Sequence, residues 1–389
     1  MSKKFVALRG IDPLLFRDAK PFGAEQGAGI ARSLPLPQPS TVAGALRTSI
    51  GNTEKWTWNE EASKRALAIS VAGPLLCKCG TTMFPKPADA LIFEEKKEID
   101  PKEPLRCLAL RPKKLQGGAG CDAPNGIAPM AVTEDVKPES GHHYWTAEKT
   151  LEWLESSDGT GFVLPTKESG PLTEDRVNVG IDIDKGVAKD GALFSTRSLC
   201  FERHPRWNEA KDAKTATAVW EVLAQVDCDT NVCGALFFGG ERRIAVASEA
   251  CAERWTLLPL TLRDKLGESR LLRLQLATPA LFRQGWIPDW LEDLGVLDAS
   301  LKGARLKLAS AAIPRREPVS GWDYHKKAPK AVRWMVPAGA VYFFEVEAGR
   351  AEEIAEACWL QPVSDGAQDR LDGYGLALWG VWNGKEFAS

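Results

Sequence analysis

The chain has 389 residues, of which 44% are hydrophobic and 26% charged, and its net charge is -2. This length accommodates two domains of ordinary size, and the composition is that of a soluble globular protein rather than a disordered or fibrous one. No run approaches the roughly 18 apolar residues that span a bilayer, and the start MSKKFVALRG lacks the apolar core of a signal peptide. We therefore expect no membrane segment, a cytoplasmic location, and reduced thiols at the nine scattered cysteines.

Positive charge is concentrated in two segments of the chain. Residues 1–50 and residues 311–335 each carry a net charge of +4, so the remainder is acidic. Two basic segments on an acidic body are typical of a protein that holds a polyanion along one surface. Ordinary variation of charge along a chain is the alternative.

The N-terminal segment, residues 11–51, combines several features of a phosphate-binding surface. A short strand predicted at 5–8 is followed by the turn RDAKPFG, a glycine-rich connector and three prolines that lead into a helix. Backbone N–H groups at a helix start, with guanidinium groups nearby, can surround phosphates. The candidate ligands in the turn and the connector are Arg17, Lys20, Phe22, Arg32 and Ser33.

The helix that follows is predicted from its caps and its spacing. Ser40 is a suitable N-cap, because its hydroxyl can accept from a free N–H group of the first turn. Gly51 is a natural C′ residue after the last turn. Val42, Leu46 and Ile50 recur at four-residue spacing, so they are expected to face a sheet.

Gly44 falls on the opposite side of this helix, near Thr48. A glycine there would allow a ligand or another backbone to approach closely, and a tolerated glycine in a well-capped helix is the alternative. The candidate phosphate ligands of the helix are Ser40, Thr41, Gly44 and Arg47.

The middle of the chain alternates short strands with loops. Its apolar runs predict strands at 66–76, 83–94, 219–226 and 244–248 and a short helix at 145–154. Residues 95–142 are charged and rich in proline and glycine, so they are expected to form long loops. Residues 177–199 predict two strands around a Lys185-Gly186 turn, with Arg176 and Arg197 at the two ends.

The last third of the chain continues the same alternation. Strands are predicted at 271–276 and 305–313, short helices at 289–297 and 352–357, and a hairpin at 334–347. A glycine-rich loop and a final strand end the chain at 371–384. Because short β and α elements are interleaved throughout, we predict an α+β fold.

Nucleotide-binding and zinc motifs are nearly matched but incomplete. Gly373 and Gly375 lack the third glycine of a dinucleotide-binding motif, and residues 380–385 are one residue short of a P-loop. The two glycines fit a close approach to RNA phosphates or, equally simply, a turn. Neither Cys77 with Cys79 nor Cys228 with Cys233 has the usual spacing of zinc ligands. We therefore expect no cofactor and no metal.

Candidate catalytic and stacking residues are few. Ribonucleases usually use histidine as general acid or base, and His325, beside Tyr324 and Lys326 in the second basic segment, is the one candidate. Contact with solvent or phosphate is the expected role of these residues. Most of the 14 tryptophans are expected in the core. Trp322 and Trp334 flank basic residues, a position from which an indole can stack on a base; core packing is expected for Trp334, and both roles stay open for Trp322.

Several longer motifs occur along nearly the whole chain. Residues 12–47 contain DPLLFRD, PFG and PSTVAGALR, residues 320–343 contain SGWD and PAGAVYF, and the C-terminal part contains GYG before LALWG. VGIDID at 179–184 and GALF at 191–194 match less well. By these motifs, in this order, the chain resembles subunit three of the Cmr complex, the type III-B CRISPR effector, within the RAMP superfamily of RNA-binding proteins.

The resemblance implies two ferredoxin-like, RRM-related domains with long loop insertions. We place the first at 1–200, with an insert around 95–142 and a β-hairpin near 176–199, and the second at 201–389, ending in the glycine-rich loop. In this family a β-hairpin reaches towards the RNA, and residues 176–197 are the segment that would supply it. The long insert departs from the family pattern, so contacts there cannot be carried over.

The same resemblance implies a non-catalytic structural subunit of an antiviral ribonucleoprotein. It would grip the 5′ handle of the CRISPR RNA and contact the large Cmr subunit two and the backbone subunit four, with target RNA nearby. Two alternatives stay open: an endoribonuclease that processes CRISPR RNA, since some RAMP relatives cleave RNA, and an assembly subunit that contacts only proteins. The predicted RNA-binding residues are Arg17, Lys20, Phe22, Arg32, Ser33, Ser40, Thr41, Gly44, Arg47, Arg176, Arg197, Trp322, Lys326, Lys330, Arg333, Gly373 and Gly375.

Overall fold

The computed structural model describes residues 2–17, 29–94, 105–114, 120–132, 136–203, 218–323 and 328–384. Its first strands are β1 (Lys3–Gly10), β2 (Gly29–Arg32), β3 (Val71–Lys78), β4 (Thr81–Pro85), β5 (Ala90–Glu94), β6 (Leu105–Ala109), β7 (Arg111–Pro112), β8 (Met130–Ala131), β9 (Tyr144–Thr146), β10 (Leu172–Asp182) and β11 (Val187–Cys200). The strands that follow are β12 (Glu202–Arg203), β13 (Ala218–Asp227), β14 (Gly234–Phe237), β15 (Ile244–Glu249), β16 (Leu271–Leu276), β17 (Arg305–Ala312), β18 (Glu317–Val319), β19 (Trp322–Asp323), β20 (Ala328–Pro329), β21 (Arg333–Met335), β22 (Val341–Ala348) and β23 (Ala377–Val381). The α-helices are α1 (Pro39–Thr53), α2 (Glu60–Leu67), α3 (Ala147–Glu155), α4 (Leu260–Gly267), α5 (Ala351–Cys358) and α6 (Ala367–Leu371). This mixture of strands and short helices confirms the predicted α+β class.

The chain forms two compact units, each assembled from three separate stretches. Unit 1 consists of Met1–Thr81, Gly170–Trp255 and Pro318–Trp334, and unit 2 consists of Thr82–Ser169, Thr256–Glu317 and Met335–Ser389. The predicted boundary at residue 200 does not match this division. Strand β13 comes after that boundary but pairs with β1 and β3, so sheet pairing between distant segments sets the units.

Unit 1 is built on an antiparallel sheet with the strand order β14-β15-β1-β13-β3. Its four main strands, β15-β1-β13-β3, have the order 4-1-3-2 when they are numbered along the chain. Helix α1 lies between the first and second of them and packs against β3, which fits the predicted ferredoxin-like arrangement. The position of a second helix is taken by β14 and a 3-10 turn at Gly240–Arg242.

Helix α1 buries the predicted face but differs from its predicted boundaries. Val42, Leu46 and Ile50 are buried, as expected from their spacing. Gln38, not Ser40, is the N-cap, and it makes no side-chain capping bond. Pro39 follows it because the fixed φ of proline suits the first helical position and its missing N–H group needs no partner there.

Gly51, which was expected to follow the last turn of α1, has a different role in the structure. Gly51 lies inside the helix, which continues to Thr53. A Cβ atom on Gly51 would lie 2.6 Å from Trp58 Cζ2 and 2.8 Å from Trp56 Cε3. The glycine is therefore needed for the packing of two indole rings and not for a change of backbone direction.

A second, three-stranded sheet of unit 1 has the order β10-β11-β2. Strands β10 and β11 form the antiparallel hairpin predicted around Lys185-Gly186. Asp182 Oδ1 accepts hydrogen bonds from the backbone N–H groups of Asp184 and Lys185, which fixes the turn. Strand β2 pairs parallel to β11 near the base of this hairpin.

Unit 2 contains an antiparallel sheet with the order β17-β22-β16-β23. Numbered along the chain and read from the β23 edge, this order is again 4-1-3-2, with α5 between the third and fourth strands. Three short 3-10 turns stand where the first helix of a ferredoxin-like domain would be, namely Asp289–Glu292, Leu294–Val296 and Ala299–Leu301. Helices α3, α4 and α5 all pack against β23.

A buried ion cluster lies within unit 2. Asp89 accepts hydrogen bonds from Arg111 Nη1 and Arg273 Nη1, both at 2.8 Å, and from Trp153 Nε1 at 2.9 Å. Burial alone would raise the pKa of Asp89, but the Arg273 and Arg111 charges hold it below its usual value. In the described part of the chain, no helix is both long enough and apolar enough to cross a membrane.

Candidate nucleic-acid interface

The N-terminal motif is attached to the base of the β10–β11 hairpin by backbone hydrogen bonds. Leu14 and Leu199 exchange two N–H···O bonds of 2.8 and 2.7 Å. Arg17 forms a backbone bridge with Ser33, and the Ser33 N–H group donates to the Arg197 carbonyl oxygen at 2.8 Å. Residues 14–17, Ser33 and the hairpin base therefore meet in unit 1 although they are far apart in sequence.

One face of the three-stranded sheet carries a row of charges across all its strands. Asp175 of β10 is paired with Arg197 of β11, which is paired with Arg32 of β2, and residues paired in this way point to the same face. Arg197 donates from Nε and Nη2 to the two carboxylate oxygens of Asp175 at 2.6 and 2.7 Å. This hydrogen bonding, together with the charges of Arg197 and Arg32, lowers the pKa of Asp175.

The opposite face of the same sheet carries a second arginine pair. Glu174 and Arg176 alternate with Asp175 along β10, so they point the other way. Arg176 Nε donates to Glu174, and this hydrogen bond lowers the pKa of Glu174, with a further contribution from Arg243. It also raises the pKa of Arg176, to which the Asp12 charge contributes. This face therefore adjoins both the N-terminal motif and the segment around Arg243.

The loop at 239–243 was not among the predicted site residues, yet it is held directly against the N-terminal motif. The Gly240 N–H group donates to the Leu15 carbonyl oxygen at 2.7 Å. Phe238 packs edge-on against Phe16 with ring centroids 5.0 Å apart. Gly239 has a φ of 87°, and a Cβ atom there would lie 2.8 Å from the Leu15 oxygen. The close approach requires glycine at this position.

The same loop presents two arginines from an uncommon backbone conformation. Glu241 and Arg242 have φ values of 57° and 52°, a left-handed conformation that is rare outside glycine and concentrates at functional sites. Arg242 is exposed, and Arg243 Nη2 donates to Glu241 Oε2 at 3.0 Å. The sequence signal was FFGGERR, which combines glycine and arginine as the N-terminal connector does. The hairpin-base arginines are therefore Arg17, Arg32, Arg176, Arg197, Arg242 and Arg243.

Ser33 and the exposed side of α1 have different environments. The Ser33 hydroxyl accepts from the Phe16 N–H group at 3.0 Å and donates to the Leu34 carbonyl oxygen at 2.9 Å, so it fixes the local backbone. Ser40 and Thr41 are half-buried in the first turn of α1. Gly44 is exposed, and among the described residues no atom outside the adjoining helix backbone lies within 4 Å of the position a Cβ would take, which leaves room beside the helix there.

Arg47 was expected to contact phosphate, but the structure places it in the interior of unit 1. Its Nε and Nη2 atoms donate to the Ile69 carbonyl oxygen at 3.0 and 2.7 Å. The reason is its position one turn after Ala43, on the buried side of α1. We therefore remove Arg47 from the candidate RNA-binding set and assign it to holding α1 against the chain that leads into β3.

Residues 318–334 of the second basic segment belong to the same compact unit as the hairpin base, whereas its Arg315 and Arg316 belong to unit 2. Lys330 is exposed, and its N–H group donates to the Gly321 carbonyl oxygen at 2.7 Å. Arg333 is exposed, and so is Trp334, whose predicted core position is wrong because only Met335 of β21 is buried. The following predicted site and chemistry residues lie outside the described residues: Lys20, Phe22, Lys326, Tyr324 and His325, while for Trp322 only the backbone is described.

Gly373 and Gly375 form a buried turn of unit 2 and do not face solvent. Thr278 Oγ1 donates to the Gly373 carbonyl oxygen at 2.8 Å and accepts from the Gly375 N–H group at 3.0 Å. Their φ values are 90° and 85°. Of the two roles that the sequence left open for these glycines, the turn is correct and contact with phosphates is not.

The described residues contain no group of three or more His, Cys, Asp or Glu arranged to hold a metal ion. Cys77 and Cys228 are buried, whereas Cys79 and Cys233 are exposed. His142 is buried in unit 2, and neither of its ring nitrogens has a hydrogen-bond partner in the described part of the chain. Burial, followed by the charge of Lys167, lowers the pKa of this histidine.

The chain was compared with known families, curated proteins and solved structures. Residues 6–382 match the family described as CRISPR-associated protein (Cas_Cmr3). No curated protein matches. A chain in cryo-EM structures of the type III-B Cmr-beta complex bound to cognate target RNA, with and without AMPPnP, is 16% identical, with a TM-score of 0.46 and coverage of 87% of this chain and 86% of that one. A chain of the Csm3-Csm4 subcomplex of the type III-A interference complex is 10% identical, with a TM-score of 0.35 and coverage of 90% and 93%.

Proposed function

The chain belongs to the Cas_Cmr3 family of CRISPR-associated proteins, and we propose that it is a non-catalytic, RNA-binding subunit of a type III-B effector complex. Its ligand is the repeat-derived 5′ handle of the CRISPR RNA, and its neighbours are the large subunit two and the backbone subunit four. The observation that carries this proposal is the convergence of six arginines, from four separate stretches of chain, at the base of one hairpin.

The distribution of these arginines fits a single RNA strand that passes around the hairpin. Arg32 and Arg197 lie on one face of the thin sheet, and Arg176 lies on the other, towards Arg243. A strand that bends around the hairpin would place phosphates against both faces. Guanidinium groups bind phosphates through paired N–H donors, and such contacts supply affinity without reading sequence.

The distal part of the hairpin has the opposite chemistry to its base. Residues 177–193 carry three aspartates and two lysines, so this part is slightly acidic. Its exposed apolar side chains are Val177, Val179, Ile181, Ile183, Val187 and Leu193. Such side chains contact unstacked bases rather than phosphates. We assign the base of the hairpin to the RNA backbone and the distal part to bases.

The second basic segment and the open side of α1 extend this proposed track. Lys330 and Arg333 lie in unit 1 with the hairpin base, and the exposed Gly44 leaves room for backbone to approach α1. Lys20, Phe22, Trp322 and Lys326 stay proposed contacts from the sequence. Single-stranded RNA is typically held by such a combination of cationic and aromatic side chains.

The test is a binding series with the full chain together with its large partner subunit. Handle-bearing RNA and an RNA with a scrambled handle are titrated at increasing salt. We expect tighter binding of the handle RNA, a clear decrease in affinity with salt, and intact RNA afterwards. Equal binding of both RNAs contradicts handle recognition, cleaved RNA supports the endoribonuclease alternative, and a stable protein complex that binds no RNA supports the protein-only alternative.

A further inference from the structure

Three of the hairpin-base arginines are held by carboxylates that lie close to them in the sheet or in the sequence. Glu174 accepts from Arg176, Asp175 accepts from Arg197 through both oxygens, and Glu241 accepts from Arg243 at 3.0 Å. We call these three acidic residues the guard carboxylates. A guanidinium group paired with a carboxylate is therefore present three times around one hairpin base, once through both carboxylate oxygens and twice through a single hydrogen bond.

The guard carboxylates are not required to hold the fold together. All three lie at the surface, with side-chain exposures of 39% for Glu174, 57% for Asp175 and 48% for Glu241. Exposed ion pairs of this kind contribute little to stability. A surface that binds a polyanion would gain affinity without them, because nonspecific affinity for nucleic acid follows positive charge. Their presence therefore calls for a functional explanation.

The chemistry of a ribonucleotide supplies one. A guanidinium fork binds a phosphate in the geometry in which it binds a carboxylate, so a phosphate can take the place of each guard carboxylate. The displaced carboxylate can only accept hydrogen bonds. In RNA, the 2′-hydroxyl of the neighbouring ribose can donate to it, whereas DNA has no donor at this position.

We infer that Glu174, Asp175 and Glu241 are specificity-determining residues that make this surface select RNA over DNA. Each accepts a hydrogen bond from a ribose 2′-hydroxyl while its arginine binds the adjacent phosphate. With DNA, the carboxylate is left facing phosphate without a donor, and this repulsion disfavours the wrong ligand. The inference rests on the RNA-binding role proposed above for the hairpin base.

The threefold repetition favours the sugar over the bases as the partner of these carboxylates. The sugar-phosphate backbone repeats the same pair of groups, an anionic phosphate and a hydroxyl donor, at every nucleotide. Bases differ from one nucleotide to the next, so a base-reading surface is expected to vary its side chains. Each of the three Arg–carboxylate pairs offers one cation and one acceptor, the two groups that a phosphate and a ribose hydroxyl would bind.

The test replaces the guard carboxylates with neutral residues of nearly the same shape in the full chain, assayed together with its large partner subunit as above. The variants are Glu174→Gln, Asp175→Asn and Glu241→Gln, alone and combined. The probes are handle RNA, DNA of the same sequence, and the 2′-O-methyl RNA, which keeps RNA-like sugar geometry but removes the donor. Glu345→Gln is the matched control, because Glu345 forms an exposed pair with Lys307 in unit 2 and its loss changes the net charge equally.

We expect the unsubstituted chain to bind RNA more tightly than either of the other two probes. Each substitution should raise the affinity for DNA about fivefold, the effect of one unit charge near a phosphate in water, and leave the affinity for RNA nearly unchanged. The RNA-to-DNA ratio of the triple variant should therefore fall about a hundredfold. A gain of DNA binding cannot arise from a misfolded variant.

Other outcomes separate this inference from the function on which it rests. If the unsubstituted chain binds RNA but the triple variant keeps its RNA-to-DNA ratio, the inference is overturned and the proposed function stands. Equal binding of RNA and 2′-O-methyl RNA by the unsubstituted chain, or an equal change of ratio in Glu345→Gln, also overturns it. If the unsubstituted chain binds no probe, the proposed function itself fails.

Discussion

Arginine–carboxylate pairs occur in both units, but their surroundings differ. In unit 2, Asp89 holds Arg111 and Arg273 in the interior, where Asp89 and Arg273 have no exposed surface. At the hairpin base of unit 1, Arg176 and Arg197 are paired with carboxylates while much of each side chain is exposed. A buried pair cannot be separated without leaving an unpaired charge, whereas an exposed pair can exchange one partner for another. The same chemistry therefore serves the fold in one unit and is available to a ligand in the other.

The largest effect is expected at the buried cluster. Asp89→Asn keeps the shape of the side chain but leaves Arg111 and Arg273 without a counter-charge, so we predict a loss of about 3–5 kcal/mol in the free energy of unfolding. Urea denaturation followed by tryptophan fluorescence measures it. The control is Glu345→Gln in an exposed pair of the same unit, which should change stability little. Equal losses in the free energy of unfolding for Asp89→Asn and Glu345→Gln would contradict the difference proposed here between buried and exposed pairs.

Arg47 tests whether a buried arginine of unit 1 behaves like those of unit 2. Arg47→Met removes two hydrogen bonds to the Ile69 carbonyl oxygen, and bonds from a charged donor typically contribute about 1.5–3 kcal/mol. We predict a loss of stability in this range with unchanged affinity for handle RNA in the variant that remains folded. A large loss of RNA affinity at unchanged stability would return Arg47 to the RNA-binding set.

Substitutions in the exposed pairs of unit 1 are expected to lower RNA affinity without lowering stability. Replacing Arg176 and Arg197 together with glutamine should lower the affinity for handle RNA about 25-fold and leave the unfolding midpoint unchanged. The slope of log affinity against log salt should decrease by about 1.4, the value for two phosphate contacts on a single strand. Arg263→Gln, from an exposed pair with Glu356 in unit 2, removes one positive charge and is the matched control for each of the two single substitutions. An equal loss in this control would indicate an effect of net charge alone.

Because Arg176 and Arg197 lie on opposite faces of the sheet, the single variants sharpen this prediction. Each should lose part of the affinity if RNA passes around the hairpin. Loss confined to one of the two variants would place the RNA on one face only.

The smallest change in stability is expected from His142, a buried histidine of unit 2. In the described part of the chain its ring nitrogens have no hydrogen-bond partner. Burial and the Lys167 charge keep the pKa of His142 below its ordinary value of about 6.5. The unfolded chain therefore binds a proton more readily, and stability should fall as the pH drops below about 6.5. We predict a loss of at most about 1 kcal/mol between pH 7 and pH 5.5. His142→Leu should reduce this pH dependence, and an unchanged pH profile in thermal unfolding would contradict the assignment.

Much of the local structure could be predicted from spacing and turn chemistry. The buried face of α1 at Val42, Leu46 and Ile50 and the hairpin around Lys185-Gly186 are both correct. The caps of α1 were wrong because Pro39 starts the helix before the serine and Gly51 serves the packing of indole rings. Local patterns contain no information about such later packing partners.

The candidate site could be predicted only in part, because local patterns also contain no information about which distant segments meet. The N-terminal motif and the hairpin each have a local signal, but their convergence depends on pairing between strands that are distant in sequence. Arg47 could have been recognised as buried, since it follows Ala43 by one turn on the core side of α1. The loop at 239–243 has its own glycine and arginine signal, yet its connection to the motif depends on tertiary contacts with Leu15 and Phe16 that no local pattern contains.

Crosslinking of handle RNA to the full chain tests directly whether RNA binds at the base of the β10–β11 hairpin. Handle RNA that contains 4-thiouridine is bound to the chain with its large partner, irradiated and digested, and the crosslinked peptides are identified by mass spectrometry. We predict crosslinks in both the 172–200 hairpin and the 239–243 loop, and their loss in the Arg176 and Arg197 double variant. Crosslinks confined to unit 2 would contradict this prediction.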